Sequence, residues 1–211
     1  MKALTVKSNA TGGSISVTGN LKTTGANATD SKITVQTAGT NATNDTITLN
    51  KAATGSDTQV LTTTGGDATV SSGAAVLSMQ GDADVGGALA LTTTTGAINI
   101  GTGTSAGYDV TGGSTSITSG TGAITAYGSI NSDGASGDTV VQTQNAITLT
   151  KESTGQPFLA APTATSRLSP LQAPVIMLSK SLVTSQPAET SIWKRTAATL
   201  PTMAQRNQSA L

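Results

Sequence analysis

Asp82 and Asp84, in Gly81-Asp82-Ala83-Asp84, are the only acidic residues spaced i, i+2 in the chain. On a strand they would share one face about 7 Å apart, near the separation at which two carboxylates act across a glycosidic bond. Such chemistry also needs cationic groups to orient the sugar, and no arginine precedes Arg167. The pair is therefore expected to serve a loop.

Four other aspartates, Asp30, Asp45, Asp57 and Asp138, each stand immediately before Ser or Thr. A calcium ladder along one edge would need a recurring ligand set such as Gly-Gly-x-Gly-x-Asp, which is absent. Asx turns in which each carboxylate caps free backbone amides between stacked rungs are the expectation. The chain has no Cys and no His, which removes thiol nucleophiles, imidazole bases, disulfides and the usual zinc ligands. No catalytic, cofactor-binding or metal-ligating residue is nominated, and the chain is not expected to be an enzyme.

Two polar residue types invite other readings. Thr-x-Thr pairs begin at Thr46, Thr62, Thr92, Thr93, Thr102 and Thr148, and a flat array of such hydroxyls could order water as an ice-binding face does. Their irregular intervals favour simple threonine richness instead. Asn9, Asn27, Asn41 and Asn44 each open an Asn-x-Thr sequon, a glycosylation signal in exported proteins that also arises by chance where threonine is abundant.

The elements that would position any of these residues fall on two sides of one boundary. All 24 glycines lie between Gly12 and Gly155, and all six prolines lie after that point. The nine aspartates precede it and Arg167, Arg195 and Arg206 follow it, so a formal charge of zero conceals a net −4 before and +4 after. Residues 1–155 read as one β-repeat segment. Residues 156–211, with the only Phe and Trp (Phe158 and Trp193), read as an irregular tail: a linker, a cap over the last repeat or a non-native end, with one short helix over 190–200. The tail as a cap would cover an open sheet edge.

Repeats organise the first part. Asn-Ala-Thr begins at Asn9, Asn27 and Asn41, and six residues after each comes Ile15, Ile33 or Ile47, followed two later by Val17, Val35 or Leu49. Ile47-Thr48-Leu49-Asn50-Lys51 recurs as Ile147-Thr148-Leu149-Thr150-Lys151, and Thr95-Gly96-Ala97-Ile98 recurs as Thr121-Gly122-Ala123-Ile124. Alternation of aliphatic with Ser/Thr is the two-residue period of a strand with one buried side. Ile98 and Ile100, and Leu89 and Leu91, should point inward. With Tyr108 and Tyr127 as the only aromatics before Phe158, a sandwich core would lack bulk. Strands stacked in register at about 4.8 Å supply the missing core from their neighbours. The expected fold is all-β, a solenoid with coils of about 20 residues.

Gly86-Gly87-Ala88-Leu89-Ala90-Leu91-Thr92 and Thr95-Gly96-Ala97-Ile98-Asn99-Ile100-Gly101 resemble the degenerate repeats of filamentous-haemagglutinin-like adhesins and autotransporter passenger domains. The resemblance implies a right-handed parallel β-helix, exported to the bacterial surface by an autotransporter or two-partner secretion route. It also implies a structural or adhesive role in attachment, aggregation or biofilm. Glycans, matrix proteins or sister molecules are the partners expected of such a rod. The alternatives are a phage tail-spike-like or polysaccharide-degrading β-helix, for which Asp82 and Asp84 would be the carboxylates, an ice-binding solenoid, and a disordered low-complexity chain. Leu, Ile, Val and Phe make up about 18 per cent of the sequence, the level at which disorder competes.

No like-charge run offers a footprint for nucleic acid, and no apolar stretch reaches the ~18 residues of a membrane helix. Met1 to Ser8 has no apolar run of the kind that follows the basic start of a secretory signal. An export signal is expected elsewhere in a longer chain, of which these residues would be a mid-passenger part.

Overall fold

The structure is a computed structural model. It describes residues 3–27, 31–101, 108–135 and 137–150, and the backbone of 159–160, 166–170 and 176–178. Among the described residues every regular element is a strand and every strand pairing is parallel. The strands form one eleven-stranded and one seven-stranded sheet.

The chain visits three ladders in a fixed order. β1 (Leu4–Lys7) lies in the first ladder, β2 (Ile15–Thr18) in the second and β3 (Leu21–Thr23) in the third. The cycle repeats with β4 (Ile33–Gln36), β5 (Ile47–Asn50) and β6 (Gln59–Thr63), then with β7 (Ala68–Gly73) and β8 (Leu77–Gln80). β9 (Asp82–Thr93) begins in the third ladder and continues into the first; β11 (Val110–Ser119) does the same after β10 (Ile98–Ile100). This continuity joins the first and third ladders into the larger sheet. β12 (Ile124–Tyr127), β13 (Ile130–Ser132), β14 (Thr139–Thr143) and β15 (Ile147–Thr150) complete the next circuit.

Pairing continues past Gly155. β16 (Leu159–Ala160) joins β13, β17 (Ser166–Pro170) joins β14, and β18 (Ile176–Leu178) joins β15. These three strands lie where the sequence suggested irregular chain. Their registers set Ile176 opposite Ile147 and Leu178 opposite Leu149 along the backbone. Pro170 ends β17, where a missing backbone donor costs the ladder least. The helix suggested over 190–200 lies outside the described residues.

Burial follows the two-residue period. In the second ladder Ile15, Ile47, Leu77, Ile98, Ile124 and Ile147 stack as one inward column, with Val17, Leu49, Met79, Ile100, Ala126 and Leu149 beside it. The four residues expected inward, Leu89, Leu91, Ile98 and Ile100, are all buried. Each such aliphatic contributes about 1.5–3 kcal/mol on burial, and small side chains suffice because the rungs above and below close the space.

One circuit is longer than the ~20 residues expected of a coil. Successive partners in the first ladder are Leu4, Ile33, Ala68 and Leu89, so an advance takes 35 residues from Ile33 to Ala68 and 21 from Ala68 to Leu89. Three strands and their corners set the lower figure. The loops around residues 37–46 and 51–58 account for the surplus.

The corners are held by hydroxyls. Thr37, Ser72, Thr93, Ser119 and Thr143 sit at or just beyond the ends of the first-ladder strands, and all are buried. Thr93 Oγ1 donates to Gly96 O at 2.5 Å and Ser119 Oγ to the same oxygen at 2.9 Å, while Ser119 Oγ accepts from Gly122 N at 2.9 Å. Thr143 Oγ1 donates to Gly122 O at 2.6 Å. A second corner repeats the device with Thr23, Thr63 and Ser132, whose hydroxyls donate to Ser31 O, Gly66 O and Gly113 O. Carbonyls that leave the ladder at a bend are thus satisfied without water.

Gly96 and Gly122 explain the recurring Thr-Gly-Ala-Ile. A Cβ on Gly96 would lie 1.8 Å from Ala75 O, and one on Gly122 would lie 2.0 Å from Gly96 O. Backbones stack at this corner with no room for a side chain.

Candidate functional surfaces

The aspartates singled out by sequence do not converge. Asp45 leads into the second ladder, Asp57 into the third and Asp138 into the first, so their carboxylates line no common edge. Asp30 lies outside the described residues. Among the described residues no group of three or more His, Cys, Asp or Glu is placed to hold a metal ion.

Asp57 makes the expected Asx turn, accepting from Gln59 N at 2.9 Å. Asp138 is exposed, and its carbonyl accepts from Thr115 N across the ladder at 2.9 Å. Asp45 caps backbone amides as expected, but those of preceding residues and of the neighbouring rung rather than of an Asx turn. Its side chain is fully buried, Oδ2 accepts from Thr40 N and Asn41 N at 2.8 Å each, and Oδ1 accepts from Gly12 N at 2.6 Å. The carboxylate ties the loop before β5 to the loop before β2, one rung away. The backbone N–H of Asn41 is the main cause of a lowered Asp45 pKa; burial opposes it, and the amides of Gly12, Thr40 and Gly13 add to the lowering. Charge-assisted bonds of this kind favour the ionised form.

Asp82 and Asp84 lie on strand β9 rather than in the expected loop; they share its outward side, with Ala83 buried between them and Val85 buried after them. Asp82 is already engaged: Thr58 Oγ1 donates to its Oδ2, and Asp109 N donates to Oδ1 at 2.9 Å. It links three successive segments of the third ladder. Asp84 is exposed and stands opposite Thr62 and Thr111. The carboxylate of Asp67 plays a similar linking part by accepting from Ala88 N at 2.9 Å. What could have revealed Asp67 and Asp82 is the recurrence of Asp just before or at a strand start, but not which rung each would reach.

The Thr-x-Thr residues scatter over all three ladders. Thr92 faces outward from the first, Thr48 and Thr148 from the second and Thr62 from the third, while Thr93 is buried in its corner. Thr102 lies outside the described residues. Of the sequon asparagines, Asn9, Asn27 and Asn44 are exposed. Asn41 is half-buried, and its Oδ1 caps Thr43 N and Asn44 N at 2.9 and 3.1 Å.

The three outward faces differ in charge. The third ladder displays Lys22, Asp82, Asp84 and Asp109. The first carries Lys7 at the head of one column, followed by Gln36, Ser71, Thr92, Thr118 and Gln142, and Thr5, Thr34, Thr69, Ala90, Ser116 and Val140 down the other. The second carries no charged side chain among the described residues from β2 to β15: Ser16, Thr48, Ser78, Asn99, Thr125 and Thr148 form one column and Thr18, Asn50, Gln80, Tyr127 and Thr150 the other. Tyr127 is the only aromatic residue in the described outward columns.

Comparison with protein-family models, characterised proteins and solved structures gives no match.

Proposed function

We propose that the chain is a right-handed parallel β-helix serving as a structural or adhesive segment of a secreted bacterial surface protein, without catalytic activity. The observation that carries this reading is the repeated order of three parallel ladders from β1 to β18, with aliphatic columns inside and mainly polar columns outside among the described side chains of β1 to β15. Parallel crossovers within one sheet are right-handed in about 98 per cent of cases, which supports the hand. A stack of this kind grows by adding rungs and presents long, flat faces suited to many weak contacts. Its carboxylates support structure: Asp45 and Asp82 spend their oxygens on backbone amides and a hydroxyl of neighbouring rungs.

The test is attachment. Beads coated with the full chain should adhere to epithelial cells, extracellular matrix or each other above beads coated with an unrelated protein of similar charge. Adhesion at the level of the control on all three would overturn the reading, as would glycan cleavage that is lost in both D82A and D84A.

A further inference from the structure

We infer that the outward face of the second ladder is a docking surface for a neutral polysaccharide, with Tyr127 as the platform on which a sugar ring stacks. The inference rests on the adhesive reading and names its ligand class. Its first support is charge. From β2 to β15 this face offers only hydroxyls, amides and one phenol, whereas the third-ladder face carries Asp82, Asp84, Asp109 and Lys22. Lys51, exposed one residue beyond β5, is a lone cation at the margin; the two columns themselves offer a sulfated or uronic polymer no cation and a basic peptide no anion. A neutral polyol finds donors and acceptors along both columns.

The second support is size. The six strands from β2 to β15, about 4.8 Å apart and up to four residues long, give a face of roughly 24 by 13 Å, about 300 Å². That is less than half of the ~800 Å² per partner of a stable protein interface, so a second copy seated on this face would be held weakly. It matches an extended run of several sugar units.

The third is the setting of Tyr127. It projects from β12 with Thr150 opposite on the following rung. On the preceding rung the register leads to Gly101, beyond the end of β10, where φ is +79°. Tyr127 itself is half-buried, and Tyr108 N donates to its carbonyl at 3.0 Å. Thr125, Asn99 and Thr148 lie in the adjacent column, placed to bond hydroxyls of a ring resting on Tyr127. Aromatic rings use an apolar face and a polar tip together in this way.

The experiment is affinity electrophoresis of the full chain in native gels cast with neutral glucan, galactan, mannan or xylan, and in gels cast with heparin or polygalacturonate. At least one neutral polymer should retard the chain, equally at low and high salt, since no ion pair is screened. Y127A should weaken retardation about tenfold, the loss of one stacking platform, Y127F should retain most of it, and T69A on the first-ladder face should leave it unchanged. No retardation by any neutral polymer, retardation by the anionic ones alone, or a Y127A variant that binds as the parent does would each overturn the inference. Beads that adhere while neutral gels fail to retard the chain would leave the adhesive reading standing and remove only this ligand. Concentration-dependent dimers abolished by Y127A would assign the face to a second copy instead.

Discussion

Replacing Ile98 with alanine tests whether the core is one continuous column. Ile98 is fully buried between Leu77 on the preceding rung and Ile124 on the next. The substitution removes three carbons, about 2.4 kcal/mol at ~0.8 kcal/mol for each. The cavity adds to this, because rungs fixed at the hydrogen-bond spacing cannot close on it, bringing the cost to about 3–4 kcal/mol. Ile15 occupies the same column on β2, is 8% exposed and has a described partner on one side only, Ile47. Its alanine variant should cost about 1–2 kcal/mol, since half of the surrounding contacts are already missing. Urea unfolding followed by circular dichroism gives both values, and thermal melts should fall by about 6–15 °C for I98A. Equal losses at the two positions, or a larger one at Ile15, would refute stacked rungs as the source of stability.

Three further outcomes follow from the corners. G122A should destabilise by about 3 kcal/mol or more, because its methyl meets Gly96 O at 2.0 Å and the stacked backbone cannot give way without breaking pairing; chemical denaturation reads the loss. S119A should cost about 2–3 kcal/mol and T93V about 1 kcal/mol, because Ser119 Oγ both donates to Gly96 O and accepts from Gly122 N, whereas loss of the Thr93 donor leaves Gly96 O still bonded. The lowered pKa of Asp45 means that the folded state holds its proton less tightly than the unfolded chain. Its stabilisation is present above the ordinary carboxylate pKa and is lost as pH falls through the lowered value. Melting temperature measured from pH 7 to pH 2 should decline more steeply in the parent than in D45N.

The strands were legible in the sequence because their period of two is local. Ile47-Thr48-Leu49 and Ile147-Thr148-Leu149 announce an inward-outward-inward run, and they occupy the same columns of the second ladder. Thr95-Gly96-Ala97-Ile98 and its repeat at Thr121 fall on adjacent rungs, since Ile98 pairs with Ile124. Which strand meets which was not legible. The three Asn-Ala-Thr units look equivalent, yet Ile15 and Ile47 pair with each other while Ile33 sits in the first ladder between Leu4 and Ala68. A polar turn feeding an alternating strand is the local requirement at more than one corner, so sequence similarity alone cannot say which corner it marks. The same limit applies to Asp45, marked by sequence as a cap for backbone amides but not for which ones: its partners Gly12 and Asn41 lie 33 and 4 residues away, and only the pairing of β2 with β5 brings Gly12 to it.

Irregular sequence intervals and a regular stack are compatible because the two are set by different groups. Circuit length varies with the loops, between 21 and 35 residues in the first ladder. Rung spacing is set by backbone hydrogen bonds at about 4.8 Å whatever the loop length. The buried corner hydroxyls provide the adjustment: Thr93 bonds within its own turn, Thr143 bonds to the rung before, and Ser119 reaches back one rung while capping its own. Each corner is closed whether its turn is one residue longer or shorter. Threonine and serine richness is thereby explained twice over, by outward columns that stay neutral and by inward corners that need a compact donor. Loops are then free to diverge while the outward columns stay aligned, which lets a chain without a constant repeat length present one continuous neutral face.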